Sequence, residues 1–281
     1  MAADAVRSVA DLIRLDLARL TQHERRVAQR LLADYPVAGL DTVARFGKVA
    51  GVSGPTVLRM ITKIGFKSYR AFQDALRTEL GARLETPLMK GGNFSVRDPL
   101  GRFAQVAIAN IRQTAANVAH SEFDEVVRLF SDSSRTVHLL GGRFTDSIAH
   151  YLLAHLRPMR PNVRHITGDS LNRLDQLPDI KKRDVVAIFD VRRYSTDIAS
   201  FATHAVKRGT TIVLFTDQWL SPVSRIAKHV LSAHVTAPSM WDSSAGLLVL
   251  VESLLAVVAH ELGSKAQTRL ALIEKLRYEQ A

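Results

Sequence analysis

In the first ninety residues apolar positions recur at helical spacing, with no alternation of the kind a strand shows. Val9, Leu12, Ile13, Leu17 and Leu20 predict a helix over Ala5–Leu20. Thr21-Gln22-His23-Glu24 is a capping box, so a second helix starts there, with Val27, Leu31 and Leu32 on one face. Tyr35-Pro36 stops it. Asp41–Ala50 reads as a short helix with Val43, Phe46 and Ala50 inward, ended by Gly51, a residue free to take positive φ. Ser53 is placed to cap the next helix, and Pro55 sits in its first turn, where a missing N–H is harmless. That helix runs to Ile64 and is closed by Gly65. Phe66, Tyr69 and Phe72 lead into a further helix ending near Leu80.

The pattern then changes. Pro87, Gly91, Gly92, Asn93 and Pro99 mark residues 81–99 as a linker between residues 1–80 and 100–281. Helices at about 100–119 and 122–131 precede a strand at 136–141. Strands at 163–167, 184–190, 211–217 and 229–235 follow, with helices at 146–157, 196–208 and 243–262. Strands alternating with helices of this length predict a three-layer α/β domain around a doubly wound, parallel, five-stranded sheet. The expected architecture is therefore an all-α N-terminal domain and an α/β C-terminal domain, without internal repeats.

Composition narrows the function. Apolar residues are 47% of the 281 and charged residues 23%, which excludes wholesale disorder and suits two cores. With no cysteine, disulfides, cysteine–zinc sites and cysteine nucleophiles are excluded. The N-terminus is charged throughout, unlike a signal peptide. The longest apolar stretch, Ala245–Ala259, is broken by Glu252-Ser253 and reads as a buried helix. A cytoplasmic protein with no membrane partner is expected. The net charge of +11 favours polyanionic partners. Residues 1–90 are the denser part, with fifteen Lys/Arg against nine Asp/Glu. Taken alone, that excess fits generic solubilising charge equally well.

Residues 41–66 give the charge a use. Two short helices joined at Ala50-Gly51-Val52-Ser53 fit a helix-turn-helix. In the second, Val57, Met60, Ile61 and Ile64 share one face, and Thr56, Arg59 and Lys63 the opposite one. A recognition helix needs that division. Arg59 suits a bidentate contact to guanine, and Thr56 a thymine methyl or a phosphate. Ser53 lies at the helix start; Arg45, Lys48, Lys67 and Arg70 flank it and suit backbone phosphates. An ordinary helical hairpin with a basic outer face is the alternative.

These residues carry a resemblance. LTQHERRVAQRLL and TVARFGKVAGVSGPTVLRMITKIGFKSYRAFQDAL, over residues 19–80, resemble the N-terminal domain of RpiR-type (RpiR/MurR) transcriptional regulators. Gly51-Val52-Ser53, Thr56-Val57, Arg59, Gly65-Phe66 and the Tyr69/Phe72 aromatics carry it. Gly47 departs from it, since a small apolar residue such as alanine is usual there. Residues 100–281 resemble the SIS (sugar isomerase) domain that follows in that family. The resemblance implies operator binding as a homodimer or homotetramer, and an SIS-like domain that senses an effector.

Loops beyond parallel strand ends are where ligands sit in such a sheet. In the resemblance, Gly141, Arg143 and Thr145 take the places of a G-x-G-x-S phosphosugar loop. Asp190, Arg192, Arg193 and Ser195 take those of an S-x-S-G-x-T loop. The arginines put a standard phosphosugar in doubt and point to another anionic metabolite, or to a filled pocket. The third strand end is Thr216-Asp217-Gln218-Trp219.

Nothing marks a catalytic residue. Asp190, Asp217, His204, Glu252 and Glu261 are candidate bases for a sugar-phosphate isomerase, and Glu252, inside an apolar helix, fits a buried structural contact better. Trp219 and Trp241 read as packing residues. No G-x-S-x-G, H-E-x-x-H or nucleotide-binding glycine motif occurs, so no cofactor or metal is expected. The leading expectation is a ligand-responsive, bacterial-type regulator of operator DNA. The alternatives are a sugar-phosphate isomerase and a non-catalytic metabolite-binding module.

Overall fold

The computed structural model describes residues 8–84, 86–90 and 98–279. The N-terminal unit is helical: α1 (Val9–Asp16), α2 (Gln22–Ala33), α3 (Val43–Ala50), α4 (Gly54–Lys63) and α5 (Tyr69–Leu84). Reciprocal capping boxes, Ser8 with Asp11 and Thr21 with Glu24, satisfy the first turns of α1 and α2. Ala5–Arg7, the expected start of the first helix, lie outside the described residues. At its other end that helix tightens into a 3-10 turn, Leu17–Arg19, instead of continuing to Leu20. The buried faces meet in one core built from Val9, Ile13, Val27, Leu31, Phe46, Val57, Met60, Ile61, Phe72 and Leu76.

α5 runs on to Leu84, past its expected end near Leu80, and α6 (Pro87–Lys90) follows. Residues 91–97 of the expected linker lie outside the described residues.

Helices α7 (Pro99–Asn117) and α8 (His120–Ser131) precede the sheet. Its strands are β1 (Val137–Gly141), β2 (Val163–His165), β3 (Val185–Asp190), β4 (Thr211–Asp217) and β5 (His229–Ala233). All neighbours pair in parallel, in the order β2-β1-β3-β4-β5. Helices α9 (Asp146–Met159), α10 (Ser170–Asp175), α11 (Thr196–Lys207), α12 (Ala245–Leu262) and α13 (Ser264–Tyr278) complete the chain. β3 is buried on both faces, which is why its sequence is apolar from Val185 to Phe189. One face packs on α8, α9 and α12; the other on α11. The hydrophobic pattern does not mark α10 or α13. α10 has only six residues, and α13 buries only Ala266.

By length and composition α12 could cross a membrane, but Leu247, Leu250, Val251, Leu254 and Val258 pack into the domain core. Glu252 is not buried, contrary to expectation: it is exposed on α12 and accepts the Tyr151 hydroxyl at 3.1 Å.

The two units are joined by specific contacts. His234 Nε2 lies 3.1 Å from Asp11 Oδ2, and Arg14 donates to the Ser232 hydroxyl at 2.8 Å. Arg225 pairs with Asp34 at 2.6 Å, and Leu220 inserts into the N-terminal apolar core.

Candidate functional site

α3, the turn and α4 form the helix-turn-helix that the spacing predicts. Gly51 adopts φ +67°, the left-handed conformation that ends α3. A Cβ on Gly47 would stand 2.9 Å from the Val52 carbonyl oxygen. The glycine therefore lets the turn fold closely over α3, which gives the departure at this position a physical reason. Val57, Met60 and Ile61 seat α4 in the core. Leu58, Arg59 and Thr62 are exposed on its outer side.

The outer face differs from the expected one at three places. Thr56 is buried, and its Oγ1 accepts from Arg59 Nη2 at 3.0 Å and shares a hydrogen bond of 3.0 Å with Ser53 Oγ. Ser53 has N-cap backbone geometry, but its hydroxyl makes no cap hydrogen bond. Lys63 reaches back to Glu24, with Nζ 2.7 Å from Oε2. Burial would raise the Glu24 pKa, but Lys63 and the Thr21 N–H and hydroxyl outweigh it and hold the carboxyl below its ordinary value. Arg45 is exposed and pairs with Asp41 at 3.0 Å. Lys48, Lys67 and Arg70 are exposed beside the motif. Arg59 and Lys63 are thus the exposed basic side chains of α4, Lys63 tied to Glu24, and Leu58 and Thr62 join them on the outer side in place of Thr56.

The second candidate site is a cavity of about 540 Å³ beyond the ends of β1 and β3. Six residues singled out from the sequence line it: Arg143, Thr145, Asp190, Arg192, Arg193 and Ser195. Gly141 lies behind the wall. A Cβ there would stand 2.2 Å from Asp146 Cα, so the glycine serves the close crossing of β1 and α9. Phe144, Gly168, Asp169, Ser170 and Arg173 also line the cavity. The Gly168-Asp169-Ser170 turn, two residues after β2, was the available signal for that wall.

The loop donors are largely engaged within the protein. The Thr145 hydroxyl donates to the Phe189 carbonyl at 2.6 Å and accepts from the Gly142 N–H at 2.9 Å. Asp217, wholly buried, accepts from the Arg192 N–H at 2.7 Å, the Tyr194 hydroxyl at 2.6 Å and the Trp219 N–H at 2.9 Å. Asp190 accepts the Ser221 hydroxyl and the Ser195 N–H, yet burial still lifts its pKa to about 6. The Arg192 guanidinium turns into the protein, 4.2 Å from the Trp219 ring centroid and 3.2 Å from Asp242. Arg192 and Arg193 have φ of +36° and +53°, a conformation unusual for side chains with a Cβ, held here by those buried bonds.

Trp219 is a packing residue as expected, whereas Trp241 is exposed, its ring centroid 5.4 Å from that of Phe144. Among the candidate bases, Asp190 lines the cavity and Asp217 is enclosed beside it. His204, Glu252 and Glu261 are exposed on helices and do not line it. Among the described residues no cluster of three or more His, Asp or Glu is placed to hold a metal ion.

Comparison with known proteins identifies both halves. Residues 7–83 match the helix-turn-helix domain of the rpiR family, and residues 130–259 match the SIS domain. The chain thus joins an rpiR-family helix-turn-helix domain to an SIS domain, the pairing that the resemblance to RpiR-type transcriptional regulators implies. An uncharacterized HTH-type transcriptional regulator of Haemophilus influenzae is 24% identical over 220 residues, which is 75% of this chain and 75% of that protein. The sugar isomerase domain of an RpiR transcription factor from Sphaerobacter thermophilus covers 63% of this chain and 99% of its own, at 24% identity and a TM-score of 0.58. The Vibrio vulnificus NanR protein, complexed with ManNAc-6P, covers 96% of this chain and 99% of its own, at 18% identity and a TM-score of 0.56. The likeness in fold to the Vibrio vulnificus protein thus extends over both halves.

Proposed function

We propose that this RpiR-type regulator is a cytoplasmic protein that binds palindromic operator DNA through α4, as a homodimer or homotetramer, and that its α/β half senses an anionic metabolite in the 540 Å³ cavity. The observation that carries the reading is the division of α4. Val57, Met60 and Ile61 are core residues, while Arg59 projects from the opposite side with its guanidinium braced on Thr56. That is the arrangement for bidentate readout of a guanine edge. The phosphosugar in the Vibrio vulnificus relative supports a ligand of that general class. The α/β half acts as a sensor with no catalytic step, because Asp190 and Asp217 are both held by local donors.

Binding of the full chain to genomic duplex fragments at rising salt tests this reading. The logarithm of the affinity is expected to fall linearly with the logarithm of salt, in proportion to the phosphates contacted. A flat salt response removes the reading.

A physical route between cavity and DNA-binding unit supports ligand responsiveness. Arg83, on α5, donates to the Tyr35 carbonyl in the N-terminal unit at 3.0 Å. The same guanidinium lies 4.7 Å from the centroid of the Tyr194 ring, in the cavity loop. Tyr194 in turn is tied to Asp217, which also holds the Arg192 N–H. A ligand that prefers one arrangement of this loop biases the seating of the N-terminal unit. Tyr194→Phe keeps the ring and releases Asp217. It is expected to shift operator affinity about fivefold in the parent chain, the lower end of typical coupling, and negligibly in Arg83→Ala. Equal shifts in both backgrounds, measured by fluorescence anisotropy, would sever this route.

A further inference from the structure

We infer that the cavity takes a compact, hydroxylated ligand with two acidic groups, phosphate or carboxylate, held at its mouth by the guanidinium groups of Arg143, Arg173 and Arg193. This inference rests on reading the cavity as the effector site, and it specifies the chemistry of recognition there.

Two observations take the Thr145 hydroxyl and two loop N–H groups away from a ligand anion. The Thr145 hydroxyl has one proton, and it goes to the Phe189 carbonyl. The N–H groups of Arg192 and Ser195 point at Asp217 and Asp190. The protein's own acceptors thus engage the Thr145 hydroxyl and the Arg192 and Ser195 N–H groups. Arg192 does not serve the cavity either, because its guanidinium faces Trp219 and Asp242.

The charged donors that remain are three arginines. Arg143 and Arg193 both approach the Phe144 ring, with guanidinium carbons 5.3 and 5.6 Å from its centroid. Among the described residues, neither they nor Arg173 has an ion-pair partner within 4.0 Å, and Arg173 Nε is sealed from solvent without a hydrogen bond. Two cations gathered on one ring repel each other unless an anion neutralises them, and a guanidinium is the side chain suited to bidentate binding of phosphate or carboxylate. The ring supports the cations and leaves their forks free.

The acidic wall residues fit this division. Asp169 accepts the Asn172 N–H at 2.9 Å as the cap of α10, and Asp190 accepts the Ser221 hydroxyl. Asp197 has no such partner among the described residues, and it is placed to accept a ligand hydroxyl. More than one guanidinium at the mouth favours more than one acidic group on the ligand.

Calorimetry on the full chain with three probes decides the matter: 6-phosphogluconate, glucose 6-phosphate and gluconate. 6-Phosphogluconate, with both a phosphate and a carboxylate, is expected to bind at least about tenfold more tightly than either monofunctional probe, the equivalent of one added charge-assisted pair. Arg143→Gln and Arg193→Gln should each remove that advantage, with Arg193→Lys intermediate, and thermal unfolding checks that each variant folds. Glucose 6-phosphate binding equally to the parent and both variants would overturn the arginine assignment and leave the cavity as an effector site. No binding of any probe to the parent chain would overturn both. DNA binding, read separately on the same preparations, is independent of either result.

Discussion

Gly141→Ala is expected to destabilise the α/β half by about 3 kcal/mol, the upper end of the usual range for overpacking a tight core. β1 ends at this glycine and α9 begins at Asp146, and the two backbones cross so closely that a Cβ would stand 2.2 Å from Asp146 Cα and 2.4 Å from its nitrogen. Backbone cannot rotate out of the way as a side-chain tip can. The first turn of α9 must move, and with it the hydrogen bond from the Gly141 N–H to Asp146 Oδ1 at 3.2 Å and the contact of Asp146 with His165 at 2.8 Å. Denaturant unfolding followed by circular dichroism measures the loss. Gly142→Ala is the control. There a Cβ meets nothing nearer than Thr145 Oγ1 at 3.2 Å, and less than about 1 kcal/mol is expected. Parent-like stability for Gly141→Ala would show that strand and helix do not cross this closely.

Arg59→Ala is expected to weaken operator binding by about 5- to 150-fold, the equivalent of about 1–3 kcal/mol for one bidentate guanine pair. It should also relax base preference at one position of each half-site. The side chain is exposed, and its one internal hydrogen bond is to Thr56, so the fold should tolerate its removal. Lys48 and Lys67, which are exposed beside the motif, should behave differently. Their replacement weakens binding to all sequences alike and lowers the salt slope by about one for each phosphate no longer neutralised. Anisotropy titrations against an operator duplex and a scrambled duplex separate base readout from phosphate binding.

How much of this was readable from the sequence depended on the distance over which each residue's role is set. The central strands follow from apolar runs, as in Val185–Phe189, because burial on both faces leaves no polar alternation. The helix-turn-helix follows from local signals, with Gly51, Pro55 and the spacing of Val57, Met60 and Ile61 all lying within one short stretch. Roles fixed by remote partners were not legible. Helical spacing puts Lys63 on the outer face, and only the fold brings buried Glu24, 39 residues earlier, within its reach. Arg192 reads as a cavity residue until Asp217, Trp219 and Asp242 converge on it from later elements. Glu252 reads as buried because α12 is apolar nearly all round, yet that helix has an exposed side. The wall formed by α10 was hidden because six residues are too few to show a period.

The central claim is that α4 reads DNA sequence, and one selection tests it most directly. Genomic fragments are selected on the purified full chain at near-physiological salt, with Arg59→Ala run in parallel. The account predicts that a palindrome is enriched, with half-sites about one helical turn or a multiple of it apart, and that the variant fails to enrich it. Recovery of the same random fragments by both proteins would contradict the account and reduce the net charge of +11 to generic attraction for polyanions.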